Sequence, residues 1–170
     1  MYGSRPSESG KAVLQMFSLP ATYLLGIVAA GWAKAWGAKV RFERSVGMVV
    51  CYGAFVPGAA RGGTTFGRTF ISHQKDQNGN YVDPGEYLEP ARYQDLMEHE
   101  FAHTRQYDLL GPVVLGIGYG VNELIANAFG APPGCANVFE RAAGLEKGGY
   151  TYCGEGNLRS LLRRKSADVN

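Results

Sequence analysis

The segment His99-Glu100-Phe101-Ala102-His103 constrains this chain more than any other. Its two imidazoles, four residues apart, come onto one face about a turn apart only if the segment is helical. On that face they can share a tetrahedral Zn²⁺, with Glu100 beside the metal rather than on it. The Glu100 carboxylate could then take a proton from a water whose pKa zinc lowers to roughly 7.

The flanking residues favour the required helix. Pro90 suits a first turn, Asp95 and Glu98 continue a helix-compatible run, and Gly111-Pro112 is a stop signal, which predicts an active helix over about 90–110. Tyr93, Leu96, Met97, Glu100, His103 and Tyr107 recur at helical spacing, so Glu100 and His103 face inward with apolar neighbours. Burying such groups is costly unless something binds them, and a metal ion would. The pattern also takes up two of the chain's three histidines. The third, His73, follows a strand-like run and reads as an ordinary surface side chain.

A catalytic zinc usually takes three protein ligands and keeps one position for water. Two downstream glutamates compete for the third place. Glu123 lies twenty residues after His103, a spacing resembling that of thermolysin-type peptidases. Glu140 lies beyond the Ala131-Pro-Pro-Gly134 break in Asn137-Val-Phe-Glu140. Each opens a Glu-x-x-Ala pattern, and spacing alone does not separate them. Gln106 shares the face of His99 and His103 and suits a residue that orients one of them. Tyr107 fits core packing better than a catalytic role.

The run from His99 through Gln106 to Gly111-Pro112, followed by an apolar helix and Asn137-Val-Phe-Glu-Arg-Ala-Ala143, resembles a group of small bacterial zincin-like proteins. In that group a later Asn-x-Phe-Glu segment supplies the third ligand. Gly63-Thr-Thr-Phe-Gly-Arg-Thr-Phe-Ile71 is similar to the strand that precedes the active helix there. The likeness covers roughly the middle and C-terminal two-thirds of the chain. It implies zinc held by His99, His103 and Glu140, peptidase activity on a peptide or protein substrate, and Glu100 as general base. A non-catalytic, zinc-stapled binding or structural protein is the alternative from another class.

With 170 residues and a net charge of +2, the chain suits one domain and gives no reason to expect a nucleic-acid partner. The basic tail, Arg159 to Lys165, reads as a solvated helix. Three cysteines without Cys-x-x-Cys spacing argue against a zinc ribbon and against a full disulfide framework. Cys135 and Cys153, both in Gly-rich sequence, could pair in an oxidising compartment, and free thiols are equally consistent.

Ala12 to Ala33 is uncharged and long enough to span a bilayer. Gln15, Ser18, Pro20 and Thr22 interrupt it, so a buried or membrane-surface helix over about 12–33 is expected rather than a span. A secretory signal fits poorly, because Ala30-Gly31-Trp32 is a weak cleavage region. Cytoplasmic or membrane-associated placement is therefore favoured over secretion. Three strands follow within about 39–72: Lys39–Arg44, Gly47–Tyr52 and Thr65–Ser72. The third is the candidate edge for an extended substrate. Lys75 to Glu86 superficially resembles a calcium loop, but its Gly is misplaced and Tyr87 stands where the closing Glu belongs, so it reads as a surface loop able to cover the cleft. With later helices over about 112–165, the expected fold is a single α+β domain whose sheet precedes the active helix.

Overall fold

The computed structural model describes residues 8–59, 62–151 and 153, without side chains for 8–17. The fold is α+β. Helix α1 (Glu8–Ala35) leads into strands β1 (Lys39–Glu43), β2 (Met48–Tyr52), β3 (Gly63–Phe66) and β4 (Thr69–Ser72). Helices α2 (Pro84–Tyr87), α3 (Pro90–Ala128) and α4 (Val138–Ala143) follow. The expected basic helix at Arg159 to Lys165 lies outside the described residues.

The sheet order is β1-β2-β4-β3, antiparallel at both outer pairs and parallel between β2 and β4. Alternation along the strands sends side chains to two different cores. Cys51 and Ile71 meet Ala29 and Ala33 of α1 on one face. On the other, Met48, Val50 and Phe70 meet Met97 of α3. Covered on both sides, β4 is buried along its whole length.

The expected third strand, Thr65–Ser72, is in fact split. Gly67 adopts φ +60°, a left-handed conformation that costs other residues about 1–2 kcal/mol, and turns the chain into the β3–β4 hairpin. A Cβ on Gly67 would also collide with the Thr22 carbonyl oxygen of α1. From the opposite side the Thr104 hydroxyl donates to the Gly67 carbonyl at 3.0 Å. The hairpin turn is thus held between α1 and α3, which fixes β3, an outer strand of the sheet, beside the His99 turn.

The stop signal at Gly111-Pro112 produces a kink rather than a loop. Gly111 has φ 76° and ψ 161°, and helical conformation resumes beyond it, so α3 runs on to Ala128. A proline cannot donate its missing N–H, and a left-handed glycine ahead of it lets the axis change direction without further residues. Around the kink α1 meets α3: Ser18 donates to the Asp108 carbonyl, and Thr22 to that of Tyr107 at 3.1 Å.

Cys135 and Cys153 form a disulfide, and Cys51 is a buried free thiol. His73 is not an ordinary surface residue. Its Nε2 accepts a hydrogen bond from the Val56 amide at 3.1 Å, and its ring stacks on Phe55. Tyr107 is half-buried, in line with packing. In the loop after β4, Asp76 accepts from the amides of Asn78 and Asn80, which closes a tight turn.

Candidate metal centre

His99, Glu100, His103 and Glu140 are 3 %, 8 %, 9 % and 4 % exposed. Groups this polar are rarely buried together unless they are compensated. The helix brings the first three inward as the spacing requires. Glu140 arrives from α4, which a local set of contacts places against α3. The Asn137 side chain caps α4 by accepting from the Phe139 amide at 3.0 Å, and its Nδ2 donates to the Tyr119 carbonyl at 3.3 Å. The Phe139 ring packs over Gly118, where even a Cβ would lie only 3.1 Å from it. Glu140 then turns toward the histidines.

Three atoms form a nearly equilateral triangle. Glu140 Oε2 lies 3.1 Å from His99 Nε2 and 3.4 Å from His103 Nε2, and the two nitrogens are 3.2 Å apart. Tetrahedral zinc, with bonds of about 2.0–2.1 Å, separates its ligand atoms by about 3.3 Å. The triangle therefore has the dimensions of one face of such a tetrahedron, and these three side chains form a group able to hold a metal ion.

The surrounding hydrogen bonds orient all three. His99 Nδ1 faces the Gly144 carbonyl at 3.0 Å, an acceptor only, so Nδ1 carries the proton. His103 Nδ1 lies 3.0 Å from Gln106 Oε1, and the Gln106 amide is oriented by donating through Nε2 to the Phe139 carbonyl at 2.9 Å. In the neutral rings the unprotonated Nε2 atoms then lie beside Glu140 Oε2. That oxygen is buried without a hydrogen-bond donor, whereas Oε1 accepts from Tyr119 at 2.6 Å. Three lone pairs facing one another repel unless a cation or a shared proton lies among them. Burial pushes the Glu140 carboxyl up, but the contacts with His103 and His99 outweigh it and hold it well below the usual carboxylate range.

Glu100 stands outside the triangle. Its Oε2 accepts from the Thr65 hydroxyl of β3 at 2.7 Å, and burial raises its pKa while His103 and His99 oppose the rise. This carboxyl is thus anchored by one oxygen beside the two imidazoles. Above them, the segment after α4 covers the site: a Cβ on Gly148 would lie 2.6 Å from the His99 ring. Arg92 holds this segment by donating to the Lys147 carbonyl at 2.7 Å, and Lys147 pairs with Glu98. Residues after α4 thus contribute cover over His99 that the sequence did not suggest.

Glu123 does not face His99. Beyond the kink it is Tyr119, not Glu123, that reaches the site, through its hydrogen bond to Glu140. The Glu123 carboxylate accepts from the Gly134 amide at 2.9 Å and from Asn137 Nδ2 at 3.2 Å, tying the α4 connection to α3. Gln106 orients His103 as expected, although it accepts rather than donates in doing so. Tyr119, Thr65 and the Gly144 carbonyl were not anticipated. The Gly63–Ile71 strand signal pointed toward Thr65, while nothing in the sequence marked Tyr119.

No family model, curated protein or solved structure matches this chain.

Proposed function

We propose that the protein is a zinc-dependent hydrolase of peptide bonds, with zinc held by His99, His103 and Glu140. The observation that carries the reading is the triangle of buried lone-pair atoms at tetrahedral spacing with an anchored carboxylate beside it. Zinc bound there would supply Lewis-acid polarisation of a carbonyl and acidify water. Glu100 is suited to take the proton from the attacking water and return it to the leaving amine, while Thr65 keeps its other lone pairs aimed at the reacting centre. Strand β3 ends the sheet beside this carboxylate, so an extended substrate could add to its open edge.

One observation favours a non-catalytic zinc staple: all four side chains are buried, and the segment after α4 packs on His99. The two readings differ in the fourth coordination position, which a structural site closes and a catalytic one leaves open. Binding of a small hydroxamate to the cobalt-substituted protein, followed by its visible spectrum, separates them. A spectral shift supports the hydrolase, and an unchanged spectrum at millimolar hydroxamate supports the staple.

The direct test is Glu100→Gln assayed on a mixture of quenched fluorescent peptides. Wild type should cleave them. The variant should bind zinc equally and lose at least about 100-fold in rate, since an amide cannot accept the proton. Equal rates in both proteins would remove Glu100 as the base, and no cleavage by wild type would count against hydrolysis.

A further inference from the structure

Beyond its kink, α3 segregates its side chains completely. In Pro112–Ala126 the only polar side chains are Tyr119, Asn122 and Glu123. Each is turned toward the segment that carries Glu140: Tyr119 donates to Glu140, Asn122 accepts from the Val138 amide, and Glu123 accepts from Gly134 and Asn137. The opposite side presents Val113, Val114, Ile117, Val121 and Leu124. Val113 is 71 % exposed, Ile117 64 % and Leu124 70 %. An 18-residue stretch of α3 reaches a mean hydropathy of 1.5, yet only 17 % of it is buried. Soluble surfaces rarely leave so continuous an aliphatic face in water.

We propose that this face is immersed in the acyl region of a phospholipid bilayer. Charge placement favours lipid over a protein partner. Protein interfaces surround an apolar centre with polar and aromatic side chains that match a partner, whereas here no hydrogen-bonding or charged side chain of the segment faces outward. Helix α1, which packs on α3 at the kink, also exposes apolar side chains, though with Tyr23 among them. Leu24, Ile27 and Val28 are exposed along it, and exposed Trp32 in its last turn and Trp36 just after it flank Lys34. Aromatic and basic side chains in this combination suit the headgroup level of a membrane. The outward stripe from Val113 to Leu124 is about 17 Å long at 1.5 Å per residue, well short of the ~30 Å hydrocarbon core. Together with the occupied inward side, that length makes the contact a one-sided immersion.

Flotation of the purified full chain with neutral phosphatidylcholine vesicles tests the proposal without reference to catalysis. Wild type should float at both 0.1 M and 1 M salt. The Ile117→Asp/Leu124→Asp double variant should lose at least tenfold in the floated fraction, whereas Val40→Asp, on exposed β1, should float like wild type. A wild type that stays at the bottom of the gradient overturns the proposal. So does one that floats only with anionic vesicles at low salt, or a soluble dimer that the double variant dissociates, which would assign the face to a second copy. A second measurement does not depend on the double variant folding. An environment-sensitive fluorophore on Val121→Cys should be quenched by brominated acyl chains, while one on Asn78→Cys in the exposed turn should not. Equal quenching at the two positions contradicts the immersion.

Discussion

Tyr119 orients Glu140 within the candidate site, because its hydroxyl holds one carboxylate oxygen and leaves the other for the histidines. Tyr119→Phe removes that hydroxyl and keeps the ring stacked on Phe139. Zinc affinity should fall about tenfold, within the 10–100-fold usual for groups that orient a ligand, when measured against a competing chelator at fixed pH. An unchanged affinity would show that Glu140 needs no such support. Residues of this kind are the least legible in a sequence. His99, Glu100 and His103 could be read because one helix sets their relation through its 3.6-residue period. Glu140 lies 37 residues beyond His103 on another element, and no periodicity connects them. Only a resemblance ranked it above Glu123. For Tyr119 even that was missing, since a hydroxyl that serves a distant carboxylate leaves no local pattern.

Among the elements, α3 shows how a stop signal can be read correctly and its result misjudged. Gly111-Pro112 breaks the helical conformation where expected, but the chain needs no connecting loop because the glycine alone absorbs the change. Gly111→Ala should therefore cost about 1–2 kcal/mol through its left-handed backbone and not through crowding, as the nearest atom to a new Cβ is Ser18 Cβ at 3.5 Å. Thermal unfolding should report a Tm lower by roughly 2–8 °C, with zinc stoichiometry retained; an unaltered Tm would mean that the kink carries no strain. The hairpin was missed for a related reason. Thr65–Ser72 reads as one β-rich run, and the turn at Gly67 depends on Thr22 and Thr104, which are distant in sequence. By contrast, β1 and β2 were legible from their local patterns, and α1 from its long uncharged run. The β2–β4 parallel pairing was not, since it depends on a crossover that local periodicity does not encode.

At the scale of the whole molecule, Arg41 joins the sheet to the start of α3 and to the loop before α2. It pairs with Glu43 at 2.7 Å and Asp83 at 3.2 Å, and Tyr93 donates to Glu43 at 2.6 Å. The Tyr93 hydrogen bond, followed by that of Arg41, lowers the Glu43 pKa from 4.5 to about 2. A depressed carboxylate stabilises the fold above its unfolded pKa, and that stability is lost as pH falls through the folded value. Between about pH 4.5 and 2 the chain should thus lose stability on the order of 1 kcal/mol from this group, discounted for its nearness to solvent. Denaturant unfolding of wild type and Glu43→Gln should show the difference at pH 6 and none near pH 2; a constant difference across that range would refute the linkage. His99, His103 and Glu140 meet where α4 packs on α3. Zinc affinity of wild type, Glu140→Ala and Glu123→Ala under one competing chelator shows whether these three hold the metal. One zinc per chain is expected in wild type, with at least a 100-fold loss in Glu140→Ala and a change of less than tenfold in Glu123→Ala. Wild-type affinity in Glu140→Ala, or no zinc in wild type, would contradict this ligand set.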